Sequence, residues 1–589
     1  MKDRSQIEEK YKWDLSALCK SDDCVDEAIK KFSQYIDKFK AFKGKLNSKE
    51  NIWKYLTMSK KFQEELSKAF LYADLVLASN LDDEKAKVWE RKLQDVDAKF
   101  SYETSFITNE LNDLSDQFLD DLIKDKKFKD YNRSFENIKK KKKHVLSPAE
   151  EKLIAGMDFL GGYSDNHRNL EDLDIKFEPA CDSKGKKHKF DNSTYLIYSR
   201  SKDRTLRKNT FLNMYNAFGG VINTLSSNYE NFVRQDCYFA KIRNFSSAFE
   251  GSLEIEEVSK EVYDTLIRQV KKNKNIVAQF FALKQKALKL KDFYFYDVAA
   301  PIGKADDKKY TYDEAIELVK KAVKLLGEEY VSLIQKAKEE RWIDVFPNKG
   351  KRSGAFETAI YDAHPYVLTN FTGDIDSCLT LAHELGHAMH SYFTNRTQPR
   401  AKSGYSIFLA EIASTTNEIL LINYLLSQAK SEEEKISLYN RLFMEVYSTI
   451  FVQTIFSSFE ETIHRDIESS IPVTKDVLCK TFYDSYKEIT GGVKLPKQLQ
   501  FGWARIPHFY TPFYVFKYAT GMICALSFAN RILSGEKGAL EDYLKFLSAG
   551  DSLPPLEVLK NSGCDLEKEQ TFESAFDYLR KMLEKWQNN

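Results

Sequence analysis

The chain has 589 residues, 42% hydrophobic and 30% charged, an ordinary globular composition with room for more than one domain around a large core. Lys and Arg number 89 against 88 Asp and Glu, a formal net charge of +1, so no global charge draws it to nucleic acid or an anionic membrane. With 23 Gly and 12 Pro, turn-formers are too few for an all-β fold, and long helices are expected.

Met1 to Lys12 is charged throughout and offers no apolar core for secretion machinery to read. From Ser5 to about Leu160, Leu, Phe, Tyr and Trp recur at helical spacing, which predicts consecutive amphipathic helices. The lysine run Lys139 to Lys143 lacks interleaved aromatics and reads as a solvated loop or helix end. Ser147-Pro148-Ala149-Glu150 is a helix start: Ser147 caps, Pro148 fits the first turn and Glu150 closes a capping box. Between Gly161 and Tyr195 the texture turns to Gly, Asp, Asn and Lys, with β-prone pieces such as Leu173 to Phe177. A boundary placed there gives an N-terminal helical domain over 1–195 and a catalytic domain over 196–589.

Helical periodicity resumes at Lys202 and runs to about Arg341. Trp342 to Phe371 breaks it, and Tyr366 to Phe371 reads as one strand of a small sheet. After Gly373 the chain is helical again nearly to its end. Tyr514 to Ala529, the most apolar late stretch, is interrupted by Lys517 and falls short of the roughly 20 residues that cross a bilayer. The eight cysteines form no C-x-x-C pair and are expected as buried free thiols in a reducing, cytoplasmic setting.

The chemistry is carried by His383-Glu384-Leu385-Gly386-His387. On a helix, residues four apart share a face, so His383 and His387 can both address one metal ion, while Glu384 can reach a water without ligating. Thr372-Gly373-Asp374 makes the preceding turn, and Asp374 or Asp376 can cap the helix. Catalytic zinc takes three protein ligands and keeps one open position. Glu411, a lone carboxylate among Phe408, Leu409, Ile412 and Ala413, is the candidate third ligand, because an ionised acid there needs a compensating cation. Asp376, His390 and Glu418 are candidates to orient the ligands, His390 lying one turn beyond His387. The aromatic segment Phe501 to Tyr518 carries His508, Tyr510, Tyr514 and Tyr518, whose polar tips suit an oxyanion that develops on a carbonyl.

These motifs resemble oligoendopeptidase F, a branch of the thimet oligopeptidase superfamily of zinc peptidases. Tyr11-Lys12-Trp13-Asp14-Leu15 is similar to the family's opening, Thr380 to His390 to its extended metal motif, Glu411 to Thr415 to its third-ligand segment, and His508 to Gly521 to its aromatic motif. The resemblance implies one Zn²⁺ held by His383, His387 and Glu411, with Glu384 as general base. It implies His508, Tyr510 and Tyr514 as substrate contacts, with Tyr514 or Tyr518 donating to the oxyanion. The implied fold is a mainly α, two-lobed helical ellipsoid around a central channel that admits short unfolded peptides, with a small β-sheet next to the H-E-x-x-H helix.

The strand Tyr366 to Phe371, immediately ahead of the metal helix, is expected to pair with the substrate backbone through Tyr366, Leu368 and Asn370. The loop Thr394 to Tyr405 is a candidate mobile cover. Hydrolysis of internal bonds of short peptides competes with two other readings. One is a carboxypeptidase-type exopeptidase in which Arg505 or another cation grips a terminal carboxylate; the other is a non-catalytic peptide-binding shell with structural zinc. Neither nucleic acid nor membrane is an expected partner.

Overall fold

Apolar side chains three and four residues apart close into helices along most of the chain, which is 70% helical. The computed structural model describes residues 2–157, 161–303 and 308–588. By packing, the chain gathers into two units. One comprises Met1–Val145, Lys308–Leu421 and Lys537–Val558; the other comprises Leu146–Asp307, Ile422–Glu536 and Leu559–Asn589. The 195/196 division describes order along the chain, and we retain it as a proposal; packing unites stretches far apart in sequence.

The first unit opens on helices Asp23–Lys40, Lys49–Ser79 and Glu84–Thr104, the latter two capped by the side chains of Ser48 and Asp83. Phe32 and Phe39 meet Phe62 and Phe100 in their core. The lysine run ends helix Asn132–Lys141 and forms the turn after it. Lys139 pairs with Asp120 at 2.5 Å and Lys142 with Asp116 at 3.3 Å, as a solvated helix end should.

The same unit holds a three-stranded sheet, in which Tyr366–Leu368 lies between Ile343–Asp344, parallel to it, and Phe356–Thr358, antiparallel. Tyr366, Val367 and Leu368 are fully buried. The opening segment packs here too. Trp13 meets the Tyr366 ring edge-on at 6.4 Å, and the Tyr11 carbonyl accepts the Val345 N–H at 3.0 Å. Arg4 and Lys351 hold the buried Asp344 at 2.6 and 2.7 Å.

The second unit contains the predicted capping box. The Ser147 N–H donates to Glu150 Oε2 at 2.9 Å, at the start of helix Pro148–Met157. The β-prone piece around Leu173 departs from expectation, since Leu170–Asp174 is a π-helical turn. The local strands are Ala180–Cys181 and Lys187–His188 instead. Turn chemistry decides this: Asp182 accepts the N–H groups of Lys184 and Lys186, and Gly185 supplies a positive φ of 81°.

A helical run over Glu432–Glu468 is long and apolar enough to cross a membrane by composition, but 61% of its apolar window is buried within the protein. Ile450, Phe459 and Ile463 are among its core residues. The cysteines also depart in part from expectation: Cys19 and Cys24 are joined in a disulfide, their Cα atoms 6.1 Å apart where the chain enters helix Asp23–Lys40. The other six are free thiols, four of them buried and Cys181 and Cys237 partly so.

Candidate metal centre and peptidase site

Helix Ile375–Thr397 begins at Asp374, whose side chain accepts the Ser377 N–H at 2.9 Å. Asp376 is exposed in its first turn. Two turns on, the Nε2 atoms of His383 and His387 lie 3.2 Å apart. Helix Ile407–Gln428 delivers Glu411, whose Oε2 stands 3.3 Å from His383 Nε2 and 3.4 Å from His387 Nε2. The two helices meet at Gly386, where an added Cβ would fall 2.6 Å from Ser414 Cα and 2.7 Å from the Ala413 carbonyl oxygen. Glycine at this position is therefore what lets the third donor approach. Asn417 locks the crossing, donating to the Ala382 carbonyl at 3.1 Å and accepting from the Tyr330 hydroxyl at 3.0 Å.

The three donors fit a tetrahedral dication. An ion about 2.0–2.1 Å from each of three tetrahedral donors spaces them roughly 3.3–3.4 Å apart, and the observed edges are 3.2, 3.3 and 3.4 Å. The electrostatics agree. Burial opposes a charge on His383, yet Glu411 and Glu418 override it and push the imidazole pKa up to about 10. Burial likewise opposes ionisation of Glu411, and the two imidazoles hold its carboxyl well below the usual range. A place that attracts a proton so strongly attracts a dication for the same reason. The Glu411 side chain is 43% exposed although its neighbours Phe408, Leu409, Ile412 and Ala413 are buried, which leaves the centre open on one side.

Glu418 Oε1 lies 2.5 Å from His383 Nδ1. A proton shared there leaves the His383 Nε2 lone pair free for a metal. Ser414 Oγ stands 3.0 Å from Glu411 Oε2 and steadies it. Glu384, next to His383, is 6% exposed; burial raises its pKa and the histidines oppose that rise. His390 is packed away from this work. Its ring stacks on Tyr405 at 3.8 Å and meets Phe546 at 4.9 Å, and burial pushes its pKa down to about 3, so it is a neutral packing residue.

The expected substrate strand needs correction. Tyr366–Leu368 is the central strand, with both edges already paired, and its side chains are fully buried. Asn370 donates to the carbonyls of Arg352 and Gly354 at 3.0 and 2.8 Å, holding the turn ahead of Phe356–Thr358. The edge strand Phe356–Thr358 is the one packed beside the metal helix with an edge unpaired among the described strands. The expected mobile cover is also tied down. Thr397 and Gln398 both donate to the Ser548 carbonyl, at 2.7 and 2.8 Å, and Arg400 pairs with Asp362.

The aromatic segment is not one helix. Pro507 and Pro512 split it into the 3-10 turn Pro507–Tyr510, a bend, and the start of helix Phe516–Leu533. His508 is exposed, and the rings of His508, Tyr514 and Tyr518 gather with centroids 5.2 to 6.2 Å apart. The Tyr510 hydroxyl accepts from Asn228 Nδ2 at 2.9 Å and keeps its own proton to donate. Arg505 is not placed to grip a carboxylate. Its guanidinium lies 4.7 and 5.1 Å from the Tyr195 and Tyr215 rings and donates to the Tyr215 hydroxyl at 3.1 Å.

Comparison with known proteins decides the family: residues 197–578 match the model of Peptidase family M3. The chain belongs to peptidase family M3. Residues 110–177 of this M3 chain match a second model, described as Oligopeptidase F. It is similar to oligopeptidase PepF of Bacillus subtilis, 32% identical over 99% of this chain and 88% of that one. It is 34% identical to the group B oligopeptidase PepB of Streptococcus agalactiae over 99% of this chain and 98% of that one. A solved structure from Chlamydophila abortus superposes with TM-score 0.95 at 34% identity, covering 100% of this chain and 99% of that one. Oligoendopeptidase-F from Enterococcus faecium gives 0.72 at 27% identity over 96% and 98%. The M3 chain is accordingly a metalloendopeptidase of the oligopeptidase kind.

Three residues beside the M3 motif escape sequence reasoning. Glu357, on the edge strand, is a carboxyl whose pKa burial raises to about 7, near enough to His387 to feel its charge. Ser391 Oγ lies 3.0 Å from the Tyr405 hydroxyl. The Ser391–Tyr405 contact ties the Tyr405 loop to the metal helix, and Glu357 reaches the same helix by packing of its strand. Nothing in the local sequence of Phe356–Thr358 marks this; the link is made by folding alone.

Glu418→Ala should weaken zinc binding roughly 10- to 100-fold, the usual effect of removing the partner that orients a ligand histidine. Competition with a chelator measures it, and kcat should return at saturating zinc. Unaltered affinity would remove Glu418 from the centre.

Proposed function

We propose that the protein is a zinc-dependent endopeptidase that cuts internal bonds of short unfolded peptides, with His383, His387 and Glu411 as ligands and Glu384 as general base. The carrying observation is the donor set itself: His383, His387 and Glu411 converge, and among the described residues no fourth His, Cys, Asp or Glu joins them. A structural zinc site takes four protein ligands, whereas three plus an adjacent unliganded acid is the pattern of a hydrolase. When bound, zinc supplies an acidified water and polarises the scissile carbonyl.

The chain's own residues do the rest. Glu384 takes the proton of the attacking water and returns it to the departing amine, and its burial brings its proton affinity closer to neutrality, where a general base works best. Glu418 fixes His383 and Ser414 steadies Glu411, so both ligands keep their aim. His508, Tyr510 and Tyr514 are substrate contacts, with Tyr514 or Tyr518 donating to the oxyanion; among the described residues the Tyr514 hydroxyl has no hydrogen-bond partner. The free edge of Phe356–Thr358 takes the peptide backbone as an added strand, which gives affinity with little sequence preference. Arg505, held by the Tyr195 and Tyr215 rings, is not poised to grip a terminal carboxylate, which supports internal cleavage over trimming by that residue.

A peptide blocked at both ends tests this directly. Metal-dependent cleavage at an internal bond, lost with chelator and restored by zinc, is the expected result. Failure to cut blocked peptides while free-ended ones are trimmed would replace the endopeptidase with an exopeptidase.

A further inference from the structure

The segment bearing His508, Tyr510 and Tyr514 is shaped by a buried acid that the mechanism above does not use. Phe513 stands at φ 52°, a left-handed conformation that a bulky side chain adopts only under constraint. The constraint is visible. Its backbone N–H donates to Glu460 Oε1 at 2.9 Å, and Glu460, on helix Gln453–Glu468, is 1% exposed. The Phe513 ring is fully buried, 4.6 Å from the ring of His464 and 5.1 Å from that of Phe249. His464 is fixed in turn, with Nδ1 2.9 Å from the Glu460 carbonyl and Nε2 3.3 Å from Asp236.

Glu460 Oε2 is buried with no hydrogen-bond partner among the described residues. Such an acid is costly to keep in a core, and among the described residues its side chain's one hydrogen bond is to the Phe513 N–H. Phe513 immediately precedes Tyr514 and follows Tyr510 by three residues, with Pro512 fixing the torsion between them. Rotation about the Phe513 backbone therefore swings Tyr514 out of its place beside the His508 and Tyr518 rings.

We propose that Glu460 is a positioning residue, which by accepting the Phe513 N–H holds the left-handed turn that aims the Tyr510 and Tyr514 hydroxyls. This rests on the reading of those tyrosines as substrate contacts. Burial pushes the Glu460 pKa up to about 8, so an uncharged acceptor can replace it.

Three variants of the full-length, zinc-loaded protein test the assignment on a doubly blocked peptide. Glu460→Met keeps the length and loses the acceptor; Glu460→Gln keeps the acceptor; Glu460→Asp keeps a carboxyl one methylene short and serves if the Met variant does not fold. The Met and Asp variants should lose kcat by about 100-fold, the scale of a 1 Å misplacement, with zinc content and KM little altered. The Gln variant should stay within about threefold of the parent. In a Tyr510→Phe, Tyr514→Phe double background the Met substitution should add little, because it acts through those two hydroxyls. Full kcat per bound zinc in the Met or Asp variant, or equal damage in Gln and Met, would overturn the assignment and leave Glu460 a packing residue. Full kcat in both Tyr510→Phe and Tyr514→Phe would instead overturn the reading of the tyrosines, a result the Glu460 variants cannot mimic.

Discussion

Glu384→Gln is expected to retain its zinc and lose about 10²- to 10⁴-fold in kcat, the range general-base catalysis supplies. The amide matches the carboxylate in shape and can sit in the same buried place, where Glu384 is 6% exposed in the parent. It cannot accept a proton. Because Glu384 is not one of the three converging donors, metal content should remain near one ion per chain by elemental analysis. An unaltered kcat would place the base elsewhere, and loss of metal would make Glu384 a ligand.

Glu411→Ala should act through the metal instead. Sites with four ligands bind zinc with about 10–16 kcal/mol, so each ligand carries roughly 2.5–4 kcal/mol, and its removal should weaken binding some 10²- to 10³-fold. The variant also strips the charge that stands 3.3 and 3.4 Å from the two imidazoles. Activity at trace zinc should fall with occupancy, while helical content by circular dichroism stays that of the parent. The surrounding contacts support that separation, since Asn417, Tyr330 and Gly386 hold the helix crossing without Glu411. Parent-like zinc affinity in Glu411→Ala would show that the third ligand is another residue.

Much of this centre is legible in the sequence because it is built from short-range helical spacing. Two histidines four apart need only one helix to face one ion, and a lone acid in an apolar helix declares that something must compensate its charge. Gly386 could also have been read: between the histidines, it marks where another backbone comes close. What resists reading is set by distant partners. Tyr366-Val367-Leu368 shows a strand, but its place between two neighbours emerges only on folding; its unbroken apolar run was the available hint of a central strand. His390 has the helical phase of a ligand helper and is taken instead by the Tyr405 and Phe546 rings. Glu357 and Glu460 act on residues far away in sequence, so no local pattern announces them. The helical expectation after Gly373 fails over the aromatic segment, where Pro507 and Pro512 are the signal of a break.

The most direct test is a crystal structure of the zinc-loaded protein with anomalous data collected across the zinc edge. One peak should lie about 2.0–2.2 Å from His383 Nε2, His387 Nε2 and Glu411 Oε2, with no protein atom at the fourth corner. An ion bound away from these three atoms, or one whose fourth corner is closed by a protein side chain, would contradict a hydrolytic centre built on them.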